Sequence, residues 1–512
     1  MLDSNSPAWQ HMLQDLALVA LSLFFLPLDT FITFWSLAYG YVFQSRVENN
    51  RRIARQRSGF KPRTILVTGV GMTKGLALAR LFYEAGHDVV GADFEPMGTR
   101  VAGRVSKAVK KFVPLRKPNN KDGSARYIQG LLDVIGKEGI DLWVSCSGVA
   151  SAVEDGEAKQ IVEARTRCKA IQFDVKTTQM LHEKHTFIEH TKELGLVVPE
   201  TYTVKKRAEV DETLRDAPQG RRYIMKTIGM DDANRGDMTL LPKSSPQETS
   251  KHLSKLAISE QSPWIIQQFI KGQEFCTHSL VIKGHVKAFV ACPSAELLMH
   301  YQALPTNSRL SKEMLKFTQT YAKNGGNSFT GHLSFDFLVE DAELDLLQTD
   351  PNTEINLYPI ECNPRAHTAV ALFAHTTSMA DAYLSLLDES VNEPSSYAEA
   401  AANGTLNENI VYPRYPFGRY YWVGHDLVNL LILPLLSLVT MQHDSSVSTL
   451  VKGLDEFVDR VVFWRDGTYE VWDPMPWWWL YHVYWPWQFL LSLYTGKKWS
   501  RVNVSTCKIF EC

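Results

Sequence analysis

Apolar and polar positions along the chain change period three times. Residues 16–43 form an apolar run in which Asp29 is the only charge. The run exceeds the roughly 20 residues a helix needs to cross a bilayer. Pro27 and Asp29 interrupt its middle, and a central Asp costs about 2.5 to 3.5 kcal/mol on insertion scales. Two membrane readings follow: one kinked span, or a hairpin dipping into a single leaflet. A helix buried in a protein core is the soluble alternative. The basic residues Arg46, Arg51, Arg52, Arg55, Arg57, Lys61 and Arg63 all follow the run, and no Lys or Arg precedes it. That order argues against a cleaved leader. It places the chain after residue 45 in the cytosol, with a basic stretch that anionic headgroups attract.

From residue 64 the pattern alternates. Buried strands are predicted at 64–69, 87–93 and 141–145, with helices at 74–85 and 127–139, so the sheet should be parallel. Beyond about residue 173 a helix at 177–194 stops at Gly195. Strands follow at 223–227, 264–270, 275–282, 285–291, 333–339 and 357–363, with acidic, loop-like sequence over 340–354. This part is α+β with mostly antiparallel strands. Near the end, 427–439 is apolar but too short for a straight span. Residues 472–487 are crowded with Trp and Tyr, which suit a membrane–water interface or an aromatic core beneath the catalytic part. Lys497, Lys498 and Arg501 after them suit a headgroup layer. The fold class is α/β plus α+β. The predicted division is a membrane segment (1–45), a basic linker (46–62), a parallel α/β domain (63–172), a second domain (173–391) and an aromatic-rich C-terminal region (392–512).

Composition adds little. The 512 residues carry a formal net charge of −2, with 45% hydrophobic and 21% charged residues. That is an ordinary globular balance with no nucleic-acid footprint. The seven cysteines are scattered without a CxxC pair, which fits reduced thiols in the cytosol.

Candidate chemistry concentrates in the second domain. Residues two apart on a strand share a face, so Glu361 and Asn363 in 357–365 (LYPIECNPR) point the same way. Asp336 sits on another strand, with Phe335 and Phe337 on the opposite face. If the two strands are neighbours, three oxygen ligands converge, a donor set suited to Mg²⁺ or Mn²⁺. Arg365 offers a planar fork for a phosphate or carboxylate. Lys226 lies mid-strand, where a phosphate would pair it. The loop 228–238 that follows carries Gly229, Arg235 and Gly236, and its backbone N–H groups suit phosphate. Lys184 lies on the helix that ends at Gly195. In 264–275 (WIIQQFIKGQEF) the strand end offers backbone groups to an adenine edge, and Glu274 offers a carboxylate to ribose hydroxyls. Taken singly, each has an ordinary explanation: a solvated acidic face, a hairpin connection, a surface lysine.

Taken together and in order, these elements resemble the ATP-grasp superfamily over residues 174–380. Residues 184–199 are similar to its "DK…GxPxP" segment, with Glu183 in place of Asp. Residues 223–227 resemble its lysine strand, with Thr227 where Pro is common. The stretch Gln267, Gln268, Phe269 to Glu274 is similar to its hinge "ExFxxGxE", with Gln267 in place of the first acid. Asp336, Glu361, Asn363 and Arg365 match the metal-binding residues and the Arg of "ExNPR". Ser334 stands where the family often has Arg, and His332 and His367 are substitutes for it. The resemblance implies ATP and Mg²⁺ as cofactors. Lys184, Lys226, Arg235 and Gly236 would hold phosphates, and Gln267, Gln268, Ile270 and Glu274 would frame the nucleoside. Asp336, Glu361 and Asn363 would hold metal, and Lys226 and Arg365 would act in catalysis. It also implies an acid and an amine or amino acid as substrates, with an α/β domain ahead of the ATP-grasp fold. The N-terminus and the "LYHVYWP" stretch further resemble ligases that add glycine in mycosporine formation and related fungal natural-product ligases, a pointer to specialised metabolism. A homo-oligomer remains open.

The competing function is a membrane-bound NAD(P)-dependent oxidoreductase. The Gly-rich turn at 69–75 follows a strand, and Asp93 ends the next, as in a dinucleotide fingerprint. A scaffold keeping an inactive nucleotide fold is the non-enzymatic alternative.

Overall fold

In a computed structural model of the chain, the structure describes residues 6–43, 45–119, 123–146, 148, 151–218, 220–227, 237–294, 299–350, 353–388, 410–439 and 446–512. Helix α1 (Ala8–Val42) runs unbroken through Pro27. The hairpin reading is therefore corrected. Proline removes one N–H donor, but the apolar residues on both sides keep the helix going. Helix α2 (Arg46–Gln56) starts at Ser45, whose hydroxyl accepts the Glu48 N–H. Much of the predicted linker is thus helix. Arg51 and Arg55 on it both pair with Asp88, and they also donate to the carbonyls of Tyr83, His87 and Gly86. These two arginines hold the α/β domain, whereas Arg52, Arg57 and Lys61 are exposed.

The α/β domain follows as β1 (Thr64–Thr68), α3 (Thr73–Glu84), β2 (Asp88–Phe94), β3 (Lys111–Leu115), α4 (Ala125–Glu138), β4 (Leu142–Ser145), α5 (Ala152–Arg165) and β5 (Lys169–Ile171). Its sheet has the order β3-β2-β1-β4-β5 and is parallel throughout. Ile65, Leu66 and Val67 are fully buried, as a sheet covered on both faces requires.

Two short helices come next, α6 (Val175–His182) and α7 (Lys184–Glu193). They replace the single helix expected at 177–194. Glu183, with an extended ψ of 120°, separates them. A three-stranded antiparallel sheet is built from β6 (Thr201–Val204), β7 (Tyr223–Thr227) and β8 (Trp264–Gln268), with β8 central. Helices α8 (Arg207–Asp216) and α9 (Pro246–Leu253) accompany it. The larger antiparallel sheet contains β9 (Gly272–Ile282) and β10 (His285–Ser294). Beyond them come β11 (Tyr301–Gln302), α10 (Arg309–Asn324), β12 (Gly331–Glu340), α11 (Asp341–Thr349) and β13 (Tyr358–Asn363). The order in this sheet is β10-β9-β12-β13. The expected acidic loop at 340–354 is largely α11. Its Leu344 and Leu347, three apart, pack on the core, and a helical turn puts them side by side.

Helix α12 (Ser378–Leu384) and strand β14 (Arg419–Tyr421) lead to α13 (Val423–Val439). Then come α14 (Val447–Phe463), β15 (Arg465–Asp466) and a helix in three pieces, α15: Met475–Trp479, a π-helical turn Leu480–Tyr484, and Trp485–Thr495. A hairpin of β16 (Trp499–Asn503) and β17 (Lys508–Glu511) ends the chain. The C-terminal aromatics are largely core. Leu480, Tyr484, Trp485, Phe489 and Trp499 join Val67 of the α/β sheet and Leu280 of β9 in one continuous cluster.

Candidate active site

The β10-β9-β12-β13 sheet has one greasy face and one chemical face, and alternation along its strands sorts them. Phe275, Leu333, Phe335, Phe337 and Val339 point into a core shared with α7 and α10. The intervening residues point the other way. Asp336 lies directly across from Glu361 on β13 and from Cys276 on β9, and Ser334 lies across from Asn363. A register shift next to Asp336 marks a bulge at this point, a device that re-aims side chains. The Asn363 side-chain N–H donates to Asp336 at 3.1 Å, and the Arg365 guanidinium donates to the Asn363 side-chain amide oxygen at 2.9 Å. Lys184, the first residue of α7, reaches Glu361 at 3.5 Å. The predicted convergence of Asp336, Glu361 and Asn363, with Lys184 and Arg365 beside them, is thus present in the geometry.

Three carboxylates, Asp336, Glu361 and Glu274, lie near one another in this cluster. Burial, then the neighbouring Glu361 and Glu274 carboxylates, push Asp336 well above the usual carboxylate range, against the pull of Arg365 and Lys184. Two carboxylates and an amide oxygen form a hard donor set that fits Mg²⁺ or Mn²⁺. A softer set is also near, since ligand atoms of Cys276, Asp336 and His367 lie within 4.8 Å of one another. The Cys276 thiol, however, contacts Cys292 at 3.3 Å. That contact and burial push it well above its ordinary range. It therefore stays a thiol, a poor ligand.

Of the residues predicted to hold the nucleotide, Lys226, Gln267 and Gln268 sit on the three-stranded sheet, Ile270 in the connection that follows and Glu274 on β9. Lys226 donates to Gln267 at 2.7 Å, and Gln267 in turn donates to Thr201 at 3.1 Å. The Gln268 side chain accepts the Glu200 N–H at 3.2 Å. Ile270 is buried in the connection to β9. Glu274 accepts from the Ser294 hydroxyl at 3.0 Å and lies close enough to Asp336 to raise it. Arg235 and Gly236 lie outside the described residues.

Sequence reasoning missed Lys74 and His278, which lie with the already singled-out His332 and His367 behind the acidic cluster. Lys74, at the start of α3, is fully buried. Burial and the nearby Arg365 guanidinium lower its pKa to about 7. His278, two positions along β9 from Cys276, accepts the His367 N–H at 3.3 Å, and its ring lies 5.5 Å from that of His332. His332 in turn shares a 2.7 Å hydrogen bond with Tyr383. Burial keeps His278 and His367 neutral, both lowered to about 3. The Gly-rich turn was a legible signal for Lys74. Its approach to Arg365, almost 300 positions away in sequence, was not.

That turn is not open in the way a dinucleotide fingerprint requires. Asp93 accepts the Gly71 and Phe94 N–H groups at 2.7 Å each. The Thr73 N–H donates to the Ser505 carbonyl, and the Cys507 thiol donates to that of Gly71. A pyrophosphate on this turn would have to displace the C-terminal hairpin. Gly75 supports the same tight packing, because a Cβ there would stand 2.2 Å from the Gly69 oxygen.

No protein-family model and no curated protein matches the chain. Among solved structures, it is similar to N5-carboxyaminoimidazole synthetase from Staphylococcus aureus, at 16% identity and a TM-score of 0.42 over 60% of this chain and 72% of that one. It is also similar to L-amino acid ligase from Bacillus licheniformis, at 14% identity and a TM-score of 0.38 over 60% and 67%. A third is the biotin carboxylase subunit of a pyruvate carboxylase, at 15% identity and 0.43 over 66% and 71%. At this level of overlap the likeness does not decide function, which rests on the chain's own geometry.

Proposed function

We propose that this chain is an ATP-grasp ligase that activates a carboxylate and joins it to an amine or amino acid, in specialised metabolism. One observation carries the reading: Asp336, Glu361 and Asn363 converge on one sheet face, with Lys184 and Arg365 beside them. In this reading residues 63–172 are the preceding α/β domain, 173–391 the catalytic domain, and 392–512 an aromatic-rich C-terminal region. Helix α1 holds the enzyme to a membrane, with the catalytic part on the cytosolic side.

When bound, Mg·ATP would supply the phosphoryl group that converts a carboxylate into an acyl phosphate, a mixed anhydride open to attack by an amine. Asp336, Glu361 and Asn363 hold the metal. Lys184, Lys226 and the 228–238 loop with Arg235 and Gly236 neutralise phosphate charge. Gln267, Gln268, Ile270 and Glu274 frame adenine and ribose. Arg365 and Lys74 form the anion side of the site. Lys74 is buried and the Arg365 guanidinium lowers its pKa, so an anionic substrate beside both would favour its charged form. The buried imidazoles of His278 and His367 present neutral hydrogen-bonding groups there and exclude water. The amine would form the new C–N bond as the acyl C–O bond breaks, with phosphate leaving and the proton from nitrogen passing to the departing phosphate or to solvent.

The test is ADP release from purified full-length protein with Mg·ATP, screened against pooled carboxylates and amino acids. The reading requires release that needs both an acid and an amine. Release independent of either, or nucleotide binding confined to NAD(P)H, overturns it.

A further inference from the structure

Helix α1 is built inside out for a protein in water. Its buried residues are all polar: His11, Asp15, Thr33 and Ser36. Most of its bulky apolar residues face outward, with Phe24 76% and Phe34 66% exposed, while Leu18 and Val19 pack on the core. The polar row is engaged by the chain's own C-terminus along nearly its whole length. Asp15 accepts from the Trp499 indole N–H at 2.8 Å. Ser22 donates to the Tyr481 carbonyl at 2.8 Å. Asp29 meets His482 at 2.9 Å, and Thr30 accepts from the Trp478 indole at 3.0 Å. Ser36 shares a 2.6 Å hydrogen bond with the Tyr469 hydroxyl.

These contacts decide how a bilayer can meet the helix. Ser22, Asp29 and Thr30 are mid-helix, so the middle of α1 lies on α15. The other side of α15 is in the α/β core, since Leu480, Tyr484 and Trp485 pack there and the Trp479 indole donates to the Arg100 carbonyl. A bilayer that α1 crossed would have its hydrocarbon centre at that point and would have to swallow the domain. At 1.5 Å per residue the helix is also about 52 Å long, against a hydrocarbon core of about 30 Å. Water is a poor neighbour for the outward face, and lipid suits it.

We propose that this chain is a monotopic membrane protein. Helix α1 lies in the plane of one leaflet, its polar row held by α15 and β16 and its apolar face in the acyl layer. The inference rests on the membrane reading of α1 given above and is independent of the ligase reading. Two further features fit a lipid surface. Helix α14 exposes Val447, Val451, Leu454, Val458 and Val461 in one stripe at alternating four- and three-residue spacing, with Lys452, Asp455 and Asp459 off the stripe. That is the pattern of an interfacial amphipathic helix. Exposed Arg52, Arg57 and Lys61 follow shortly after α1 and complement anionic headgroups.

The experiment places a single environment-sensitive label at Leu13→Cys, Phe24→Cys or Phe34→Cys of the full chain, in a Cys512→Ser background that removes the exposed thiol. The protein is bound to vesicles of equal parts phosphatidylcholine and phosphatidylserine. Depth is read by lipids that quench near the headgroup or at the acyl end, and flotation with the vesicles is scored separately. In-plane seating predicts flotation and the same shallow depth at all three positions. A deep Phe24 flanked by shallow Leu13 and Phe34 overturns it in favour of a crossing helix. Failure to float, with cross-linked dimers instead, overturns the membrane reading and assigns the face to a second copy.

Discussion

Asp336 carries the site, and its own environment states why. A carboxylate that burial and two acidic neighbours push upward is more easily protonated in the folded chain than in the unfolded one. The sign follows from linkage: its contribution to stability is present below the unfolded pKa and falls as pH rises through the folded value. Asp336→Asn is therefore expected to raise the melting temperature of metal-free protein near neutral pH while lowering turnover by roughly 10³-fold. A variant less stable than the parent in EDTA would contradict this charge argument. His375 shows the same sign from a different cause. Its ring meets Glu84 at 2.9 Å, and that hydrogen bond raises its pKa against the effect of burial. The pair's stabilisation is full below the ordinary histidine value and fades as pH rises through the raised one. His375→Ala is expected to cost about 2 kcal/mol in denaturant unfolding at about pH 5.5 and clearly less at about pH 8.5.

Among the elements, strands with a clear period of two were legible to within a few residues. Residues 223–227 form β7 over the predicted range, and the i, i+2 rule put Glu361 and Asn363 on one face before any pairing was known. What the sequence hid was tertiary. The acidic character of 340–354 masked the Leu344 and Leu347 spacing that makes α11 a helix. The split at Glu183 leaves an apolar pattern that still reads as one helix. Asp15, Ser22, Asp29 and Ser36 recur every seven residues in α1. That polar stripe was legible, but apolar content dominated the reading and Asp29 counted only as a cost. Lys74 could not be joined to Arg365 without knowing how the α/β domain meets β13. One glycine tests the link between the two antiparallel sheets. A Cβ at Gly272, where β8 hands over to β9, would stand 1.9 Å from the Val339 oxygen. Gly272→Ala is expected to lose about 2 to 3 kcal/mol in urea unfolding, since backbone rather than a side chain must give way. It should weaken nucleotide binding as well; unchanged stability would contradict the register of β9 on β12.

In the whole molecule, the two ends of the chain hold the middle. The C-terminal hairpin closes the Gly-rich turn of the α/β domain, and α15 lies between that domain and α1. The core runs without a gap from the parallel sheet across β9 to the C-terminal aromatics. Removing residues 1–42 is therefore expected to bare Tyr481, His482 and Trp499 and to cause aggregation with a lower melting temperature, rather than to release a clean soluble enzyme. Light scattering and thermal unfolding of the truncated protein check this. A monomeric product with unchanged stability would show that α1 is only an appendage.

The most direct test of the proposed site is Mn²⁺ binding followed by electron paramagnetic resonance, with ADP present, in the parent and in Glu361→Gln. One or two Mn²⁺ ions held tightly only with nucleotide, and lost in the variant, is the predicted result. Nucleotide-dependent Mn²⁺ binding that survives Glu361→Gln unchanged, or no such binding in the parent, would contradict it.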